Sequence, residues 1–306
     1  MSDGAGDTEG VVAATPPPTA APATGADIAR VFIVAVTAVV AIAGAVLGSG
    51  AFGGTPVQDA AGGALDADAT LIAPAGAAFS IWSLIYVGLV AYAVWQALPS
   101  QWASARHRRV GYLVAASLLL NAAWILVVQA GLLWLSVVVI AVLLVVLGIA
   151  YASCVRNPPR RLADALLTDG VIGLYLGWVS VATAANLTAA LVAAGFDGWG
   201  IPSAAWAIAV LALLTLVMIA LAAFSRGGLA PMLSATWGLV WIAVGRLAGE
   251  PASFAVGIAA IVAAVIVAGT TLAIRFVAGR QRRLGPILDD RADAPRHASG
   301  PGILDQ

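Results

Sequence analysis

The side chains of this chain that could do chemistry are rings and amides rather than ions. Ten tryptophans and five tyrosines are present, and several fall on helical stripes that also carry a side-chain amide. Phe79, Trp82, Tyr86, Leu89, Ala93 and Gln96 recur every three or four residues, which sets them on one face of a helix. Ser117, Asn121, Trp124 and Val128 do the same, and Tyr175, Trp178, Val179, Ala182 and Asn186 share an arc of about 100° at the helical advance per residue. Three such faces turned toward one another would line an apolar pocket with a few orienting hydrogen-bond groups, the usual make-up of a small-molecule site. The plainer use of aromatics at this spacing is packing.

Titratable chemistry is scarce where a membrane would need it. The chain has 306 residues, 61% hydrophobic and 10% charged, against about 25% charged in an average soluble domain. Such a chain cannot cover a water-facing surface. No Asp, Glu, Arg or His is expected near the middle of a span, which disfavours ion-coupled antiport and ordinary acid–base catalysis. Asp169 and Glu250 read as helix N-caps. The single cysteine, Cys154, excludes an internal disulfide, and His107 and His297 lie apart from any acidic or thiol cluster, so no metal site is expected. All 15 basic residues are arginine. Without a lysine the chain cannot hold retinal as a Schiff base.

The elements that must position these groups are apolar runs long enough to cross a hydrocarbon core of roughly 30 Å, which takes about 20 helical residues. Eight are expected, at 31–48, 77–98, 110–130, 132–153, 170–194, 203–224, 229–247 and 252–276. Only Gln129, Ala130 and Gly131 separate the third from the fourth, which requires a tight hairpin there. The fold class is an all-α polytopic membrane protein.

Arginine placement gives an independent check, because cytoplasmic loops collect it. Arg30, Arg106, Arg108, Arg109, Arg156, Arg160, Arg161, Arg226 and the C-terminal group from Arg275 to Arg296 alternate onto one side, and Arg246 alone falls on the other. Both termini are therefore expected in the cytoplasm, and the arginine-only, alanine-rich composition suggests a bacterial inner membrane. Residues 1–29 and 278–306 read as disordered tails rich in Pro, Gly and charge. Gly44 and Gly48, Gly173 and Gly177, and Gly245 and Gly249 form GxxxG pairs, read as packing within the chain, with a homodimer face as the second reading. Nothing points to a nucleic-acid partner.

Three of these segments carry a resemblance to a known family. PAGAAFSIWSLIY (Pro74 to Tyr86), NAAW (Asn121 to Trp124) and LYLGWVSVATAAN (Leu174 to Asn186) resemble, in order, spacing and helix, the motifs of the TspO/MBR family, the tryptophan-rich sensory proteins related to the translocator protein. The resemblance covers residues 30–194 and implies a five-helix bundle, with 195–277 as three additional spans. It departs from the family in placing Phe79 one residue later than the usual phenylalanine and Ser80 where a proline is common.

What the resemblance implies is a pocket enclosed by five helices and roofed by the loop between the first two, binding hydrophobic planar or polycyclic molecules such as porphyrins and, in some members, sterols. Carried over residue by residue, the expected lining is Trp82, Tyr86, Asn121, Trp124, Trp178 and Asn186, to which the stripe of the fifth span adds Tyr175 and Ala182. No cofactor is required, and the partners are a hydrophobic small molecule and the bilayer. Sensing or regulation is the leading function, ahead of a facilitator for a hydrophobic metabolite and an enzyme degrading a bound tetrapyrrole.

Overall fold

The protein is described by a computed structural model that covers residues 22–48, 56–57 and 59–292, with side chains to residue 281. It contains eight long helices: α1 Gly25–Gly48, α2 Ile81–Ala97, α3 Ala105–Gln129, α4 Leu133–Arg156, α5 Leu162–Ala193, α6 Ser203–Phe224, α7 Leu229–Ala248 and α8 Phe254–Ala292. Seven of these elements are long and apolar enough to cross a membrane. The remaining one, α7, has 20 residues but is diluted by Pro231, Ser234, Thr236 and Arg246, and it lies between α5 and α8. The helical class follows from the bilayer itself, where a backbone polar group without an internal partner costs several kcal/mol.

Two boundaries differ from the sequence expectation. α1 begins at Gly25, inside the stretch read as a disordered tail; the rest of that tail, residues 1–21, lies outside the described residues, as do 293–306. The reason is the Asp27 carboxylate, which reaches back to the start of the helix. The Thr24 N–H and hydroxyl both donate to Asp27 Oδ2 at 2.9 Å, so the helix starts six residues before the apolar run. The second difference is at α5, which begins at Leu162 and includes a π-helical turn over Ala165–Gly170. Asp169 is therefore not an N-cap: it sits inside the helix and pairs with Arg106 of α3. Glu250 likewise caps the turn before α8 rather than the helix, accepting from the Ala252 N–H at 3.0 Å.

The hairpin between α3 and α4 is as tight as the sequence requires. Gly131 takes φ +72°, a left-handed conformation that costs glycine little, while Ala130, Gly131 and Leu132 return their N–H groups to carbonyls of the last turn of α3.

In section, α1, α3, α4, α5 and α2 form a ring in which each touches the next and α2 closes back onto α1. Their buried side chains make one apolar cluster. A second cluster joins α6, α7, α8 and the Val181 side of α5. The two meet along the α5–α7 contact, where Gly173 faces Ala230 and Pro231 and Gly177 faces Pro231 and Ser234. Gly44 lies against Ala122 of α3, and Gly245 against Ala75. The glycine pairs thus serve packing within the chain.

Charged groups are buried at both ends of the helices, not only displayed there. Arg30, 1% exposed, donates to Asp27 (3.0 Å), Gln96 (3.3 Å) and the Trp102 carbonyl (2.9 Å), and Asp27 also accepts from Arg108 at 2.6 and 2.8 Å. His107 is not isolated from acids as its sequence context suggests: it is fully buried with Nε2 3.9 Å from Asp164.

A Cβ at position 177 would stand 2.2 Å from the Pro231 carbonyl oxygen, whereas one at 148 meets nothing within 4 Å. Gly177→Leu should therefore cost about 3 kcal/mol or more by overpacking and lower the thermal unfolding midpoint in detergent, while Gly148→Ala should leave it unchanged or raise it. Equal midpoints for the two variants would contradict a tight α5–α7 contact.

Candidate functional site

The aromatic stripes meet inside the five-helix ring. Trp82 stacks on Tyr86 at 5.6 Å between ring centroids, and its edges meet Tyr175 at 5.8 Å and Trp178 at 6.3 Å. Phe79 stands edge-on to Trp178 at 6.0 Å. Each such pair is worth roughly 0.5–1.5 kcal/mol beyond its buried area, so α2 and α5 are held together by rings that satisfy one another.

A cavity of about 560 Å³ lies beside this cluster, between α1, α2 and α3. Its floor and walls are Trp82, Tyr86, Asn121 and Trp124, with Phe79 and Ser83 from the start of α2 and Ile42, Ala45 and Val46 from α1. Pro56 and Val57 close it from the loop. Its rim includes Ile42, 38% exposed, and Val87, 67% exposed, so the opening faces the lipid side of the bundle between α1 and α2.

Trp178, Ala182 and Asn186 line a different space. It holds about 40 Å³ under the loop residues Leu65, Thr70, Ala73 and Pro74, and Phe79, Trp124 and Val57 are common to both walls. Tyr175 lines neither: it is fully buried, and its hydroxyl donates to the Ser117 carbonyl at 3.4 Å. The expected lining is therefore divided by Phe79 and Trp124, because the rings of α2 and α5 fill the centre of the ring of helices.

The two amides also differ in what they have left to offer. Asn186 is occupied, accepting from Trp124 Nε1 at 2.9 Å and donating to Ser136 Oγ at 2.9 Å, and so it ties α5 to α3 and α4. Asn121 donates from Nδ2 to the Tyr86 hydroxyl at 2.6 Å, and its Oδ1 is buried with no partner among the described residues. Turning the amide over exchanges the two atoms and still leaves one without a partner. A buried polar atom in that state costs about 1–3 kcal/mol, and this one belongs to a residue in the wall of the larger cavity.

Helices α6 to α8 reach this site through its roof. Arg246, 1% exposed, donates to the carbonyls of Thr70 (2.9 Å), Ala67 (2.6 Å) and Glu250 (3.0 Å). The Trp241 carbonyl accepts from the Ala75 N–H at 3.1 Å, and Trp237 Nε1 donates to the Ala78 carbonyl at 2.9 Å. The one arginine that breaks the charge alternation is thus a clamp on the loop, and the Trp237 side chain is a second tie to it.

Residues of the larger cavity outside the expected lining are those of α1 and the loop, together with Phe79, Ser83, Val87 and Ile125. Ile42, Ala45 and Val46 carry no aromatic or polar signal that would distinguish them from lipid-facing residues. Phe79 does lie on the α2 stripe, one turn before Trp82, and that periodicity is the signal for it.

Replacing Asn186 by leucine keeps the volume close but leaves the Trp124 indole N–H unpaired in an apolar interior. A loss of about 1–3 kcal/mol in unfolding free energy is expected, with the smaller loss for Ser136→Ala. Intrinsic fluorescence during thermal unfolding measures both.

A family model described as TSPO-like protein matches residues 30–273. No curated protein and no solved structure matches. The match begins at the buried Arg30 and runs through α7 into α8, so it includes the helices that hold the roof.

Proposed function

Because this chain belongs to the TSPO-like protein family, we propose that it is a membrane-embedded receptor that senses a hydrophobic planar molecule of the porphyrin or tetrapyrrole class. The observation that carries this reading is the cavity of about 560 Å³, of a size usual for one such ligand, with aromatic faces on one side and the unpaired Asn121 Oδ1 in its wall. Trp82, Tyr86 and Trp124 would offer their rings to a conjugated macrocycle by stacking and dispersion. Asn121 would accept from a ring N–H or a protonated carboxyl, so one hydrogen bond orients a ligand otherwise held by shape. In this reading Trp178, Ala182 and Asn186 support the wall from behind.

The lipid-side rim at Ile42 and Val87 favours entry of the ligand from the bilayer, where a planar apolar molecule is concentrated. The same opening is the observation in favour of a second reading, a facilitator that passes such a molecule between leaflets. Lipid vesicles carrying the protein would separate the two: a receptor binds without net flux, and a facilitator moves ligand with or without an ion gradient. Under the positive-inside rule the arginine-rich helix ends and both termini face the cytoplasm, in the inner membrane of a bacterium.

Titration of the purified protein with protoporphyrin should quench tryptophan emission saturably. Asn121→Leu should weaken the apparent affinity about tenfold, the effect of a hydrogen bond worth about 1.4 kcal/mol, and Trp82→Leu should weaken it further. Quenching that never saturates, or that both variants leave unchanged, would sink the reading.

A further inference from the structure

A third cavity, of about 530 Å³, lies outside the five-helix ring, at the helix ends opposite the arginine-rich loops. It is enclosed by the C-terminal end of α5, the first two turns of α6, the loop residues 69–72 and the turn before α8. Its inner wall is apolar and buried, with Ile72 and Ala207 at 1% and 5% exposure, while Val192 and Ile201 at its mouth are exposed.

The chemistry at the mouth is specific. Phe196 and Trp206 both line it, edge-on to each other at 5.6 Å, and Trp199 stands against both at 5.2 and 5.8 Å. The Trp206 indole N–H donates to the Gly198 carbonyl at 3.0 Å, which fixes that ring. Between Phe196 and the glycine is Asp197, the one charged side chain among the lining residues and exposed to the outside. Among the described residues no basic side chain lines the cavity, and Arg246 is turned to the carbonyls of Thr70, Ala67 and Glu250. Deeper in the wall Thr70 is 5% exposed, and its hydroxyl is buried with no partner among the described residues.

We propose that this cavity is a second ligand site, which takes an apolar molecule carrying a single ammonium head. Aromatic rings and a carboxylate in one lining are the combination that recognises alkylated ammonium groups, through the ring quadrupole and the opposite charge together. An anionic head is disfavoured by Asp197 with no cation to offset it. The apolar body fills the space along Ile72, Ala207 and Val210, with Thr70 in the wall that this cavity shares with the smaller one under the loop. The volume suits one molecule of drug size. The site stands on α5, α6, loop residues 69–72 and the turn before α8, and does not depend on the reading of the first cavity.

The test uses full-length protein in nanodiscs of zwitterionic lipid and native mass spectrometry. Dodecyltrimethylammonium is the probe, with dodecanol and dodecyl sulfate of the same chain length as comparators. One saturable equivalent of the ammonium compound is expected, bound about tenfold more tightly than either comparator. Asp197→Asn, a change at an exposed position, should abolish the preference over dodecanol while leaving the unfolding midpoint unchanged. Trp206→Leu should weaken the ammonium compound about tenfold and dodecanol less. Equal affinity for the three probes, or a preference that survives Asp197→Asn, would overturn the proposal.

Discussion

Non-helical backbone at membrane depth is tolerated only where protein satisfies its polar groups, and the loop over the five-helix ring meets that condition through one buried cation. Arg246 collects the carbonyls of Thr70 and Ala67 and joins them to Glu250 at the end of its own helix. The Trp241 carbonyl and the Trp237 indole complete the attachment at Ala75 and Ala78. Because the loop leads directly into Phe79, the ring that divides the inner space, the position of the roof also sets the shape of both cavities beneath it.

That constraint gives α6, α7 and α8 a place in the architecture of the site. α7 lies so close to α5 that only glycine fits at positions 173 and 177, and that contact brings Trp237, Trp241 and Arg246 up to the loop. α8 and α6 then cover the outer face of α7 with the second apolar cluster. A helix bearing Arg246, Ser234 and Pro231 is poorly suited to lipid on its own. Covered on both sides, it can carry polar groups inward.

Most of the helical frame was legible in the sequence, because apolar run length and arginine placement are direct consequences of the bilayer. What was not legible are features made by partners distant in sequence. Asp27 reads as part of a polar tail, yet its bonds to Thr24 and Arg108 fold it into α1, where Arg30 is buried against it and Gln96. Asp169 reads as a cap, and Arg106 on another helix makes an interior position tolerable for it. Arg246 reads as an exception to a charge rule, since nothing near it in sequence reveals that two of its three carbonyl partners lie more than 170 residues away. The inward stripes were readable by periodicity. Their division into an occupied amide, Asn186, and an available one, Asn121, depends on Ser136 and Tyr86, and periodicity does not report such pairings.

Helix α7 holds the roof of the aromatic site in place. Hydrogen–deuterium exchange of the full-length protein, compared between the natural chain and Arg246→Met, tests it most directly. The backbone amides between residues 66 and 78 should lose protection in the variant while those in the middle of α3 and α4 keep theirs. Unchanged protection across the loop would contradict the account.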